Sequence, residues 1–188
     1  LDAHGTYDTY LNAKLEIAKI VQDSPKRPRI LVANQDDQES EKFLAYNAEK
    51  KITFTGRDFP FELSIPGEFN KYNAAGAVAL AKELGISEEN IKTALINVKQ
   101  IAGRLQYIEC GQDFDVIVDY AHTTDSLQKL YDVFKGKRKI AVLGGTGGGR
   151  DKWKRKEMGA IADRECEMVY ITNEDPYDED PQQIMDDV

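Results

Sequence analysis

The chain has 188 residues, of which 41% are hydrophobic and 31% charged, and it carries a net charge of −8. That balance fits a soluble globular protein with a true core, long enough for one full domain or two small or partial ones. The acidity excludes non-specific binding to nucleic acid or to an acidic membrane surface, and no apolar run approaches the ~20 residues of a membrane span.

Residues 6–22 read as an amphipathic helix, with Tyr10, Ala13, Ile17 and Ile20 recurring at helical spacing and Thr6 as N-cap. Lys14 falls on that side, among Ala13, Ile17 and Ala18. A buried lysine is costly unless paired or chemically altered, and a snorkelling surface lysine is the simpler reading. After the breaker "SPKRPR", "ILVAN" (30–34) reads as a buried strand, "ESEKFLAYNAEK" as a helix and "KITFT" as a strand. Together they make a β-α-β unit. "GRDFPFELSIPGEF" is irregular, with room for an edge strand. Residues 70–85 form a strong helix, with Asn70 at the cap and Gly85 as its stop. "SEENIKTALINV" is another helix, opening on an imperfect capping box from Ser87 to Asn90.

From residue 105 the texture changes. "LQYIEC" and "FDVIVDY" look like two strands joined by a glycine-containing turn. "TDSLQKLYDVFKG" is a helix, "KIAVLGG" a strand, "KRKEMGAIADREC" a helix and "MVYIT" a strand. This rhythm indicates a doubly wound α/β domain with a mostly parallel sheet, and the boundary falls near 101–104. Cys110 and Cys166, the only cysteines, lack metal-type spacing and read as free thiols in a reducing cytoplasm. No signal peptide opens the chain, and it starts in mid-pattern, as a fragment would.

Three strand ends are polar or glycine-rich: "VIVDYAHTTDS" with Asp119, Tyr120, His122 and Asp125; "AVLGGTGGGRD"; and "VYITNEDPYDED". In a parallel sheet all three rims face one crevice, where ligands of open α/β sheets bind. The basic run 150–156, set in an acidic chain, suggests a small-anion site, or simply a solvated helix start. Asp119 serves equally as a local cap, and His122 as a partner for loop carbonyls. The glycine loop matches neither a dinucleotide fingerprint nor a Walker A loop, which is absent from these residues.

In chain order, "HGTYDTYLNAK", "NQDD", "GEFNKYNAAGAVALAKELGI", "GRLQ", "VIVDYAHTTDSL", "GGTGGGRDKWKRKEMG" and "TNEDPYDEDPQQI" resemble the Mur ligases. Within that family they look most like the branch that adds the third amino acid of the peptidoglycan stem. The resemblance implies a partial central ATPase domain over 1–101 and an incomplete Rossmann-like C-terminal domain over 102–188. The UDP-sugar domain and the family's GTxGKT loop are not among these residues, and the 37–67 region is short for the family. The implied chemistry is ATP-dependent activation of a UDP-N-acetylmuramoyl peptide carboxylate as an acyl phosphate, followed by attack of a free amino acid, with Mg²⁺ offsetting charge.

The resemblance also assigns roles. Lys14 matches a carbamylated lysine that helps hold Mg²⁺, while His4 is not a metal ligand. Asn70 and Asn73 match residues near the adenine, and Arg104 matches an arginine reaching the ATP phosphates. Asp119 matches a ribose ligand, with Tyr120 and His122 on the same rim. Arg150 matches the arginine that grips the amino acid's carboxylate. Glu174, Asp175, Pro176 and Tyr177 occupy the amino-acid-selecting motif, DNPR in diaminopimelate-adding enzymes. With Tyr177 at the arginine position, lysine or a similar diamino acid is favoured over diaminopimelate. A cytoplasmic monomer that uses no nucleic acid or membrane is expected. The fragment alone is expected to be inactive. The alternatives are a non-catalytic binding remnant, a related ligase such as folylpolyglutamate synthase, and a nicotinamide-dependent oxidoreductase.

Overall fold

A computed structural model describes residues 4–188. The chain separates into two compact units, one spanning Asp8–Ile117 and the other Val118–Val188 with the described residues ahead of Asp8. Both are mixed α/β, as the strand–helix rhythm predicts.

In the first unit, α1 (Tyr7–Asp23) leads to β1 (Ile30–Asn34), α2 (Ser40–Leu44) and β2 (Lys50–Phe54). β1 and β2 pair in parallel, with Ile30 opposite Lys50 and Asn34 opposite Phe54. α3 (Glu68–Glu83) packs on this sheet and α4 (Glu88–Asn97) packs on α3. Leu31, Ala33, Ala75, Val78 and Ile91 are buried here. Gly56 lets the Tyr72 ring lie against the backbone, since a Cβ there would come within 2.4 Å of the ring. Beyond α4, β3 (Gln106–Tyr107) and β4 (Ile117–Val118) form a short two-stranded sheet, with Gly111 at φ +86 in the connection.

Four local expectations are corrected. α1 buries Leu11 and Ala18, whereas Tyr10, Ala13, Ile17 and Ile20 are exposed. The helix carries two apolar stripes, and the Leu11 stripe is the one covered. Lys14 lies between the stripes and is exposed, its ammonium 5.4 Å from the Tyr10 ring centroid. α2 stops at Leu44 because the following chain is committed elsewhere: Asn47 N–H donates to Gln22 Oε1, and Glu49 is held by Arg29. No strand forms between residues 55 and 67. That segment is tied down by side chains, with Ser64 Oγ donating to the Ile96 carbonyl and Phe59 edge-on to Phe61. Finally, α3 begins two residues before Asn70, after Gly67, so Asn70 sits in the first turn and is not the cap.

Other signals read locally are met. Ile86 N–H donates to the Ala81 carbonyl and Gly85 N–H to that of Lys82, the paired bonds of a Schellman stop, with Gly85 at φ +78. Ser87 caps α4 by accepting from Asn90 N–H at 3.3 Å.

The Arg29–Glu49 pair makes a pH prediction. Hydrogen bonds from the Arg29 side chain hold the Glu49 carboxyl at about 2, against its ordinary 4.5, although burial pulls the other way. A carboxyl depressed in the folded state stabilises above its unfolded value, and that contribution fades as pH falls through the folded one. The gap in urea midpoint between the parent chain and Glu49→Gln should be widest above pH 4.5 and close as pH approaches 2. A gap unchanged at the lowest pH would refute this origin.

The second unit contains α5 (Thr124–Val133), β5 (Ile140–Gly145), α6 (Trp153–Glu165), β6 (Met168–Asn173) and α7 (Pro181–Asp187). β5 and β6 pair in parallel from Ile140–Met168 to Gly145–Asn173. Leu127 and Tyr131 of α5, Ala141 and Leu143 of β5, and Met158 and Ala162 of α6 form its core. A reciprocal capping box between Thr123 and Ser126 starts α5. α7 was not anticipated, although Asp180 as N-cap followed by Pro181 at its first position announces it.

Candidate functional site

The alternation of β5 sends one face into the α5–α6 core, and its parallel pairing with β6 brings both carboxyl ends to one side, where each strand runs into a loop. A cleft of about 250 Å³ opens there, bordered by residues 119–122, 142–146 and 172–174. The three strand ends expected to converge do so within this unit.

On the first rim, Asp119 Oδ1 accepts from Ala121 N–H at 2.8 Å, which turns the chain back towards α5. His122 Nδ1 donates to the Tyr120 carbonyl at 3.0 Å. The Tyr120 and His122 rings meet edge to face at 4.9 Å. Local capping and site geometry coincide at these residues, because the bonds that shape the turn also fix the rim.

Of the basic run, only Lys154 and Arg155 line the cleft. Lys154 Nζ donates to the His122 carbonyl at 2.9 Å. Burial pushes its ammonium below the ordinary lysine range, and Asp151 opposes that shift. The cleft thus offers a carboxylate at Asp119, a partly desolvated cation at Lys154 and glycine backbone between them. Such a set suits a polar ligand with hydroxyl and anionic groups.

The second and third rims meet through their backbones. Gly147 N–H donates to the Asp175 carbonyl at 3.0 Å, and a Cβ at Gly147 would lie 2.1 Å from the Pro176 carbonyl oxygen. A Cβ at Gly148 would lie 2.8 Å from the Tyr177 ring. Thr146 Oγ1 donates to Glu174 Oε2 at 3.2 Å. The glycines therefore admit the 174–177 segment against the loop. Glu174 lines the cleft, whereas Asp175, Pro176 and Tyr177 lie against the glycine loop and Arg150 is exposed beyond it.

Lys14, Asn70, Asn73 and Arg104 belong to the first unit. Asn73 Nδ2 donates to Asn70 Oδ1 at 3.3 Å, so the pair shares one face of α3, and Asn70 Nδ2 donates to the Pro66 carbonyl. Arg104 is exposed in a tight turn, where its N–H donates to the Ile101 carbonyl at 3.0 Å and Gly103 adopts φ +66. Asp36 of "NQDD" is pinned beyond β1: Thr55 Oγ1 donates to it, and Arg57 lies 3.3 Å away. The Thr55 hydrogen bond leads in holding that carboxyl below its ordinary range.

Two site residues escaped the sequence reading. Lys154 was not separated from its basic neighbours, and Arg155 was not singled out at all. The available signal was their position in α6: residues 154, 155, 158 and 162 fall on the face that α6 turns to β5, while Lys152 and Lys156 are exposed.

Residues 103–188 match the family model described as Mur ligase, glutamate ligase domain. The whole chain is 34% identical to UDP-N-acetylmuramoyl-L-alanyl-D-glutamate–2,6-diaminopimelate ligase of Geobacillus kaustophilus, covering 45% of that protein. It is 32% identical, again over its whole length, to the enzyme of the same name from Fusobacterium nucleatum, covering 44%. The chain thus spans less than half the length of these relatives. Among solved structures, MurF from Acinetobacter baumannii aligns with TM-score 0.73 at 21% identity, over 91% of this chain and 44% of that one. Mycobacterium tuberculosis folylpolyglutamate synthase complexed with ADP aligns with TM-score 0.67 at 17% identity, over 92% and 44%. At those identities the two structures establish the shared fold. Residues 103–188 are a Mur ligase C-terminal domain, and the chain is similar to Mur ligases over its whole length.

Proposed function

We propose that this chain is part of an ATP-dependent acid–amino acid ligase of peptidoglycan synthesis, acting in the cytoplasm. In this reading it adds a diamino acid to a UDP-N-acetylmuramoyl dipeptide. Residues 1–101 belong to the central domain and 102–188 to the C-terminal domain. The observation that carries the reading is the cleft outside β5 and β6, where a carboxylate rim, a glycine loop and a buried-side lysine converge.

ATP is a substrate here and supplies the phosphoryl group that activates the peptide carboxylate. Asn70 and Asn73 are assigned to the adenine, Asp119 to ribose hydroxyls, Tyr120 and His122 to the same rim, and Arg104 to the phosphates. Arg150 orients the amino acid through its carboxylate, which places the amine for attack. Lys14 is exposed and open to carbamylation, which would turn it into one anionic oxygen ligand. Among the described residues no trio of His, Cys, Asp or Glu is grouped for a metal. These residues therefore do not by themselves form a Mg²⁺ site.

For the amino acid, Glu174, Asp175 and Asp178 flank Tyr177 without a neighbouring cation in the segment. An acidic surround favours a side-chain amine and disfavours a second carboxylate. Lysine is therefore proposed over diaminopimelate, although the relatives are named for the latter.

The test is phosphate release by the intact enzyme with ATP, UDP-N-acetylmuramoyl dipeptide and a panel of amino acids. Lysine should lead. Diaminopimelate far ahead would overturn the lysine assignment, and no amino-acid-dependent release at all would overturn the ligase. The 188 residues alone should release no phosphate above background, because no GxxxxGK[ST] loop is among them.

A further inference from the structure

We propose that Arg155 is a positioning residue that sets amino-acid affinity by locking the glycine loop 144–149 to the acidic segment 174–180. The inference rests on the reading in which Arg150 and residues 174–177 contact the amino acid.

Arg155 is only 2% exposed, the one charged residue buried to this degree among the described residues. A buried charge lacking partners is strongly unfavourable, and here the fork is met from three directions. Nη1 donates to Asp187 Oδ2 of α7 at 2.9 Å. Nη2 donates both to the Thr146 carbonyl of the glycine loop at 3.0 Å and to Glu179 Oε2 at 3.1 Å. One nitrogen therefore bridges the two loops directly. Lys152 Nζ lies 3.0 Å from the same Glu179 oxygen.

The charges of this cluster sustain one another. Burial works against the Arg155 guanidinium, but its bonds to Asp187 and Glu179 outweigh that and raise it above its ordinary range. The hydrogen bond from Lys152 leads in holding Glu179 below the usual carboxylate range, and that from Arg155 does so for Asp187.

The two loops are joined a second time at Gly147, through its bond to Asp175 and its close approach to Pro176. Arg150 leaves the glycine loop three residues after Gly147, and Tyr177 follows Pro176 directly. With both joints closed, the distance between Arg150 and the 174–177 segment has little freedom. A ligand held by its carboxylate at one end and its side chain at the other meets a preformed gap. With the Arg155 joint open, that same ligand must order the loops itself, and affinity falls. Arg155 can do this where lysine cannot, because a planar fork serves three acceptors at fixed angles and an ammonium on a flexible stem does not.

The experiment measures kcat and both KM values in the intact enzyme for Arg155→Lys, Glu179→Gln and Arg150→Ala. Arg155→Lys keeps the charge, and Glu179→Gln alters the joint from the other side, which guards against loss of folding in one variant. Arg155→Lys should raise the KM for the amino acid about tenfold, and Glu179→Gln about threefold. The KM for ATP and kcat should stay within about twofold in Glu179→Gln, since Glu179 does not line the cleft. The double variant should raise the KM for the amino acid by less than the product of the two single effects, since both open one joint. An unchanged amino-acid KM in both single variants, or a KM for ATP that rises equally in Glu179→Gln, overturns the proposal while a raised value in Arg150→Ala leaves the loop reading standing. An unchanged value in Arg150→Ala overturns the loop reading, and with it the role given to Arg155.

Discussion

Replacing Arg150 with alanine in the intact enzyme is expected to raise the apparent KM for the amino acid about fiftyfold and to leave that for ATP within about threefold. The size follows from losing a bidentate, charge-assisted pair, reduced because Arg150 is exposed. The selectivity follows from geometry. Arg150 stands beyond the glycine loop and does not line the cleft, whose polar groups include Asp119, His122, Lys154, Arg155 and Glu174. A guanidinium outside the cleft, two residues after Gly148, which lies against Tyr177, can reach a ligand lying over the 174–177 segment. Steady-state kinetics varying each substrate in turn decides the matter. A KM for ATP that rises with the amino-acid value unchanged would return the loop to a phosphate-binding role.

Replacing Gly147 with alanine is expected to destabilise the second unit by about 3 kcal/mol, combining overpacking with loss of the bond to Asp175. The new Cβ would stand 2.1 Å from a backbone oxygen, which cannot rotate away as a side chain could. Gly149 is the internal control. A Cβ there meets nothing within 4 Å, but φ is +71, so Gly149→Ala should lose only the backbone preference, about 1 kcal/mol. Urea unfolding of the two variants measures the difference. Equal losses would mean that the glycines serve backbone conformation, and that their contact with Pro176 is incidental.

The same contrast explains how far residue order leads. A glycine-rich run after an apolar strand suggests a phosphate cradle, and nothing local contradicts it. What occupies the space beside Gly147 is Pro176, 29 residues later, brought there by the parallel pairing of β5 with β6. The family motifs did point to an amino-acid loop. The physical reason for the glycines, one loop seated on another, appears only once the two strands are side by side.

Short-range physics was legible throughout. Ile30–Asn34 follows from a five-residue apolar run between breakers, the end of α3 from Gly85, and the start of α4 from Ser87. The two helix ends depend on bonds within six residues, so neighbours in sequence suffice, and the strand is marked by its own apolar run although its partner Lys50–Phe54 lies twenty residues on. The meeting of the glycine loop with Glu174 was also foreseeable, because parallel strands place their carboxyl ends together whatever the side chains are, whereas Asp119 reaches the cleft from β4, which pairs with β3 in another sheet.

The misreadings share one cause. α1 presents two apolar stripes, and periodicity does not say which one another layer will cover; the Leu11–Ala18 stripe was covered, and Lys14 came to the surface. α2 has helical sequence beyond Leu44, but a bond from Asn47 to Gln22, 25 residues away, draws the chain out of the helix. Arg155 stands in a run of basic residues that look alike, and burial against Thr146, Glu179 and Asp187 singles it out. Composition, periodicity and turn chemistry settled the class of fold, the caps and the strand-end location of the cleft, since these follow from local bonds and from chain handedness. Which face is buried, which cation is desolvated and why the loop is glycine were settled by contacts between distant segments, whose energies exist only when the chain has closed on itself.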